Sequence, residues 1–414
     1  MDPSKRVQEA ACSAFATIEE EACHELEDYL PDILETLIHA LDLYQTVNLM
    51  ILYDAIGTLA DVIGDPLHNV RGIEQLILKL IKKWDETPTD YKDPKSKNVF
   101  ALLECLATLF MSIGKHYIDH SRTVFAKSAT IIKRHLDYVA AYEQQQQALA
   151  KAFRIPHDEI LDPPETDFLI VGLDLLSGVT EGLGRAITAF IPDIEPNVID
   201  LMLDAANNNT PEVRQSAFAL MGDLTKTAYS HVHRRIQDAV PLLVNNVTTT
   251  QLYSQNHVSV CNNAIWALGE VCVNIHRLLE SEQHREEVNK AVSYIEGFSE
   301  QIMRKFCQII TISIKQKTLI ENTAITIGRL GLLAPARCSV FVPQFIRPWC
   351  ASLQMIRDNE EKYTAFLGLV KMVYHNSAML QEFNVFATFA IAVCSWQQPP
   401  PDLYAKFKEV SIFI

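Results

Sequence analysis

An all-α solenoid of stacked helix pairs is the fold this sequence predicts, on three observations. Glycine is scarce, with 14 in 414 residues, while 48% of the chain is hydrophobic. Alternating strand patterns are few. An eight-residue helical pattern recurs along the chain without gaps.

The copies are Ser13-AFATIE-Glu20, Asp54-AIGTLA-Asp61, Asp174-LLSGVT-Glu181, Ser216-AFALMG-Asp223, Asn263-AIWALG-Glu270 and Asn322-TAITIG-Arg329, with a weaker one at Tyr363-TAFLGL-Val370. Their starts lie 41, 120, 42, 47, 59 and 41 residues apart. Units of about 40–47 residues are those of HEAT and armadillo repeats, so the expected architecture is an α-α superhelix (solenoid) of HEAT/armadillo-like repeats. One such solenoid would occupy 1–414 as about ten helix pairs, the last of them cut short. The step of 120 fits three units, with helices near 99–114 and 122–152. The step of 59 fits one unit lengthened at the charged stretch Glu280–Lys290.

Within each copy the second, third and sixth places are apolar, for example Ala55, Ile56 and Leu59. These make one buried stripe, as packing between neighbouring repeats requires. The first, fourth and eighth places share another face, because seven residues advance roughly two turns. The segments Leu30–Leu43 and Arg235–Val247 supply partner helices, and Pro31, Pro211 and Pro241 mark helix starts, a position proline tolerates. The stretch 153–167, rich in proline and acid, reads as a surface insertion. Pro399–Pro401 interrupts the last repeat, and Gln144–Gln147 reads as solvated helix.

Charge and cysteine usage exclude several classes of function. A net charge of −15 argues against a nucleic-acid surface, which needs clustered Lys and Arg. Nine cysteines, none in a CxxC pair and most in apolar runs, suggest reduced, buried thiols. Residues 1–10 are polar and no uninterrupted apolar run approaches the ~18 residues of a membrane helix. A soluble intracellular protein without membrane insertion is expected. His231 and His233 form HxH without a third ligand at recognisable spacing, and GLG at 182–184 lacks the rest of a phosphate loop. No nucleophile–base constellation stands out, so neither an enzyme, nor a metal site, nor a cofactor is expected.

The polar stripe holds Glu20, Asp54, Asp61, Asp174, Glu181, Asp223 and Glu270. It reads either as a solvated face or as a carboxylate row for Lys and Arg side chains. Trp266 shares its face with Asn263 and Glu270, at spacings of three and four residues. Either it packs against an adjacent repeat, or it is an exposed anchor for an apolar side chain, with Ile325 and Val258 beside it.

Several segments resemble the transportins, karyopherin-β (importin-β family) nuclear import receptors. They are KRVQEAACSAFATIEEEAC (5–23), MILYDAIGTLAD (50–61), DLLSGVTEGLG (174–184), PEVRQSAFALMGDLTK (211–226), VCNNAIWALGE (260–270), ENTAITIGRLG (321–331), QFIRPWCASL (344–353) and IRDNEEK (356–362). The resemblance is collinear over nearly the whole chain and corresponds to the C-terminal half of the family. It implies binding of proline-tyrosine nuclear localisation signals on an acidic concave face, contacts with nucleoporins, and shuttling between cytoplasm and nucleus. It implies that Glu9, Ser13, Glu20, Asp54, Thr58 and Asp61 meet the signal's arginine, and that Ile170, Asp174, Glu181, Gln215 and Asp223 meet an upstream basic segment. Val258, Asn262, Asn263, Trp266, Thr318, Asn322 and Ile325 would form an apolar-epitope site, with Val258 where the family has isoleucine. Ran GTPase would bind only through the family's N-terminal half, which this chain does not match. The alternative is a HEAT-repeat scaffold for a multiprotein complex, which need not expose Trp266 beside carboxylates.

Overall fold

The computed structural model describes all residues except 1–3, 45, 89–97, 152–159, 251, 253, 282–284, 313–315 and 413–414. Helices connected by turns and short 3-10 segments make up the described residues, and no strand occurs among them. Two compact units are present, 1–223 and 224–414.

The first unit contains α1 (Lys5–Glu21), α2 (Leu30–Leu43), α3 (Thr46–Ile63), α4 (Ile73–Glu86), α5 (Asn98–Ile113), α6 (Ile118–Ala150), α7 (Asp167–Leu183) and α8 (Val198–Ala206). The division between units falls within α9 (Pro211–Val232). Helices α1, α3, α5 and α7 pack side by side in one layer, while α2 packs on α4 and α6 on α8 in the other. Lys127 of α6 joins α4 by an ion pair with Asp85 and by lying over the Trp84 ring. In the second unit the layers are α11 (Gln255–Glu280), α13 (Lys317–Leu333), α16 (Glu360–His375) and α18 (Pro401–Ile412) against α10 (Ile236–Asn246), α12 (Arg285–Thr311), α15 (Val342–Leu353) and α17 (Phe383–Cys394), with short α14 (Pro335–Ser339) between. Two layers of paired helices are the HEAT-repeat solenoid that the periodicity predicts.

The repeating octet explains the packing. Its second, third and sixth places are buried in α3, α7, α9, α11, α13 and α16. The seventh place is buried too, and in all but α16 it is small: Ala60, Thr180, Gly222, Gly269 and Gly328. Small residues let neighbouring helices approach at backbone distance. A Cβ added at Gly328 would lie 2.3 Å from the Ala365 carbonyl oxygen, and one at Gly368 would lie 1.8 Å from that of Gly328. In α1 the pattern fails: Ala14 is exposed and Ile18 is 48% exposed, while Gln8, Cys12 and Glu19 are buried. Among the described residues α1 has one layer neighbour, α3, so its buried stripe rotates toward that side.

Several sequence expectations need correction. Only α5 stands between α3 and α7 in their layer, so the interval of 120 residues holds two steps, the second lengthened by the 33-residue α6. Eight pairs and the leading α1 are formed by the described residues. The long step between Asn263 and Asn322 comes from helices α11 and α12, of 26 and 27 residues, rather than from their connection. Pro31 and Pro211 do lie at helix starts, but Pro241 sits inside α10. Proline there has no N–H for the Gln237 carbonyl four residues back. The Tyr294 hydroxyl of α12 donates to that carbonyl at 3.1 Å instead. Lys305, also of α12, caps the other end of α10 through the carbonyls of Val244 and Val247 at 2.6 and 2.7 Å. Pro401 opens α18, which packs on α16. Of the stretch 153–167, residues 153–159 lie outside the described residues, and 160–166 lead without helix into α7. Gln144–Gln147 lie in α6, three of the four exposed.

The segments Asn98–His116 and Gln255–Glu280 are long and apolar enough to cross a membrane by length and composition, though neither is an uninterrupted apolar run; they are 50% and 72% buried in the protein. Their apolar side chains pack against neighbouring helices, which accounts for their composition. Seven of the eight described cysteines are buried and Cys394 is exposed, all as free thiols. Burial pushes the Cys272 thiol up to about 12 and Cys261 to about 11.

Candidate functional site

In the first unit, α3 and α5 turn their first and eighth octet places toward a shared groove. Asp54, Asp61 and Glu104 line a cavity of about 330 Å³ with Thr58, Gly57 and Met111. All three acids are exposed, and among the described residues none meets a Lys or Arg. The Thr58 hydroxyl is turned back onto the Asp54 carbonyl at 3.1 Å. Partial burial, then the charges of Asp174 and Asp54, raise the Glu104 carboxyl above its ordinary value. The Asp174 carboxyl is raised by burial, and a hydrogen bond from Ser216 counters it. Glu104 on α5 therefore feels Asp54 on α3 and Asp174 on α7. Carboxylates held close without cations disfavour their own ionisation, and a cation entering the groove would relieve that strain.

Glu104 was not singled out by the sequence. It opens an octet of its own, Glu104-CLATLF-Met111, whose burial matches the Asp54 copy place for place except the fourth. A search that allowed glutamate at the first place would have found it.

The remaining candidates of this unit divide. Glu9, Ser13 and Glu20 of α1 and Glu181 of α7 are exposed, while Ile170 and Gln215 are half-buried. Asp223 is a correction to the solvated stripe: it is 5% exposed and accepts a hydrogen bond from the Ser177 hydroxyl. With Asp174 and Ser216 it makes two serine–carboxylate links between α7 and α9.

Glu19, about a quarter-turn around α1 from that stripe, was also passed over. It occupies the seventh place, which is small in α3, α7, α9, α11 and α13. It is fully buried, with neither carboxylate oxygen hydrogen-bonded. Burial above all, then the charges of Asp54 and Glu20, push its carboxyl up to about 8.

In the second unit, α11 and α13 are joined by an amide ladder. Asn322 Nδ2 donates to Asn262 Oδ1 at 3.0 Å, and Asn262 Nδ2 to Asn263 Oδ1 at 3.3 Å. Trp266 lies one turn beyond Asn263 and is half-buried, and Thr318 at the start of α13 is exposed. Val258 and Ile325, expected as open apolar anchors beside the indole, are only 5% and 4% exposed. They support the face from beneath, leaving Trp266 as its open apolar surface. Glu270 does not belong to a solvated row: it is buried and accepts from Arg329 Nη1 at 2.6 Å. Arg329 also donates from Nε to the Thr364 hydroxyl at 3.1 Å, so one guanidinium ties α11, α13 and α16. His231 and His233 of the HxH gather no third ligand among the described residues.

The chain is 40% identical over 411 residues to Transportin-1 of Mus musculus, covering 99% of this chain and 41% of that protein. It is 36% identical over 414 residues to Transportin of Dictyostelium discoideum, covering 100% and 40%. Importin subunit beta-2 of Schizosaccharomyces pombe is 32% identical over 410 residues, covering 99% and 41%. The chain thus spans about two fifths of the length of these relatives, whose names are those of transport receptors and not of enzymes. No family model matches. Among solved structures, importin beta crystallised from polyethylene glycol superimposes with a TM-score of 0.61 at 14% identity, over 99% of this chain and 47% of that one. A second importin beta crystal form gives 0.58 at 13% identity, over 95% and 42%. These two likenesses show the fold.

Proposed function

From its homology to the transportins, collinear along its whole length, we propose that this chain is the cargo-holding part of a nuclear import receptor. It holds an extended basic localisation signal of the proline-tyrosine type and moves between cytoplasm and nucleus through contacts with nucleoporins. The observation that carries this reading is the groove of Asp54, Asp61 and Glu104, open and cation-free among the described residues, with the charge of Asp54 acting on Glu104. Lys and Arg side chains of a bound segment are the groups that such a groove selects. Each exposed pair contributes only ~0.2–1 kcal/mol, so affinity requires several contacts along α1, α3, α5 and α7. Trp266 adds the apolar contact that charge pairs lack, since a partly open indole is the kind of residue on which binding energy concentrates. The protein is a binding module, with no catalytic step and no cofactor assigned to it, and no residue of this chain is assigned to Ran GTPase.

The test is a titration of a fluorescent proline-tyrosine signal peptide with the full chain, followed by anisotropy at rising salt. Binding that weakens as salt screens the groove is the expected result. A peptide that fails to bind, or binds equally with its basic residues replaced by alanine, overturns the reading.

A further inference from the structure

Two turns on neighbouring helix pairs of the first unit bring metal-type ligands together. Asp65 and His68 lie in the 3-10 turn Asp65–Asn69 that follows α3, and His116 ends the turn Gly114–His116 that follows α5. His116 Nε2 is 2.9 Å from Asp65 Oδ1, and the His68 and His116 rings stack with centroids 3.5 Å apart. One ligand atom from each of the three residues falls within 4.8 Å of the others. The His68 carbonyl accepts from the Tyr117 hydroxyl at 3.1 Å, which fixes the first turn against the second.

We propose that Asp65, His68 and His116 form a site for a borderline divalent cation of the zinc class, whose binding ties the turn after α3 to the turn after α5. Two imidazoles and one carboxylate, with water in the fourth position, are a donor set that zinc accepts. At metal–ligand bonds of ~2.0–2.1 Å, tetrahedral donors lie roughly 3.3–3.5 Å apart. The three residues therefore need to move by fractions of their present separations and not by a rearrangement of the helices.

Two adjustments accompany binding. An ion cannot lie in the plane of both rings while they are parallel, so one imidazole turns about its Cβ–Cγ bond. The His68 and His116 side chains are 23% and 30% exposed, which leaves room for that rotation. Lys115, whose ammonium is 2.8 Å from Asp65 Oδ1, must also withdraw, and its side chain is 54% exposed. Lys115 is thus the internal competitor for the ion.

The experiment uses the full chain, stripped of metal, in a Cys394→Ser background that removes the one exposed thiol among the described cysteines. Zinc chloride is titrated against a chromogenic zinc indicator, and the zinc-induced change in Tm is recorded in parallel. Binding of one equivalent with a rise in Tm is expected. His116→Ala should weaken it at least tenfold, and Lys115→Ala should tighten it severalfold by removing the competing ammonium. The Lys115 variant keeps the three ligands, so a loss of folding in the His116 variant does not decide the matter alone. The assignment is overturned if no zinc binds at a hundredfold excess, if His68→Ala and His116→Ala bind as tightly as the parent, or if Lys115→Ala leaves affinity unchanged.

Discussion

Arg329 and Glu270 form a buried ion pair, Nη1 to Oε1 at 2.6 Å, with their side chains 3% and 5% exposed. Glu270 is the eighth place of the α11 octet and Arg329 the eighth place of the α13 octet, so the pair locks one repeat to the next in register. Removing one partner strands the other charge in the interior. Arg329→Ala should therefore cost roughly 3–5 kcal/mol, whereas replacing both residues by methionine should cost far less, because a buried pair is often little better than an apolar one. Urea denaturation of the single and double variants decides it: equal losses in both would mean that the pair contributes by volume and not by charge.

Glu19 makes stability depend on pH. Its carboxyl is raised from 4.5 to about 8 in the folded chain, mainly by burial. Between those values the folded state binds more protons than the unfolded one. Stability conferred by the neutral acid is therefore fully present below pH 4.5 and is lost as pH rises through the window to about 8. Within the window this one group contributes a slope of up to about 1.4 kcal/mol per pH unit. Glu19→Gln should flatten the profile between pH 6 and 8 and exceed the parent in stability at the upper end. Superimposable profiles of the two proteins would remove Glu19 from the account.

The repeat was legible in the sequence because places two, three and six are buried wherever helices stack on both sides and are apolar there except for Thr323 and Thr364. Its register then located α3, α7, α9, α11, α13 and α16. What the octet hides is pairing between copies. An acid at the eighth place looks alike in Asp61, which faces the groove, and in Glu270, which is neutralised. The change from acid to Arg329 at that place in the next copy was the available signal. Glu19 is buried because α1 is turned toward α3, and no feature within its own octet reports that rotation. Val258 and Ile325 read as anchors from type and spacing, but spacing fixes a face only to within about a residue's width of arc, and both fall on the packed side of it.

Backbone-close packing of α13 on α16 predicts opposite outcomes for two glycine substitutions. At Gly368 an added Cβ would lie 1.8 Å from the Gly328 carbonyl oxygen, whereas at Gly297 in α12 it would meet nothing within 4 Å. Alanine gains about 1 kcal/mol over glycine in a helix interior, and Gly297→Ala should show most of that gain. In Gly368→Ala the overlap with main chain dominates, since helices must separate to admit the methyl group, and a net loss of ~1–3 kcal/mol is expected. Thermal unfolding measured side by side checks the pair; stabilisation by both substitutions would contradict the close approach.

Open and buried apolar groups on the α11–α13 face should separate by readout. Trp266 is half-buried and available to a ligand, while Ile325 is 4% exposed and fills space between helices. Trp266→Ala should lower affinity for a basic peptide carrying an apolar residue by roughly 1–2 kcal/mol, the range of a binding hot spot, with little change in stability. Ile325→Ala should instead cost ~2–5 kcal/mol of stability, as loss of buried side-chain volume does, with affinity at low temperature changed much less. The peptide must include its apolar residue, because a purely basic one contacts only the carboxylates of the first unit and should bind the Trp266 variant as it binds the parent. If Trp266→Ala weakens neither peptide, the indole is a packing group, and the apolar contribution to binding lies elsewhere on the chain.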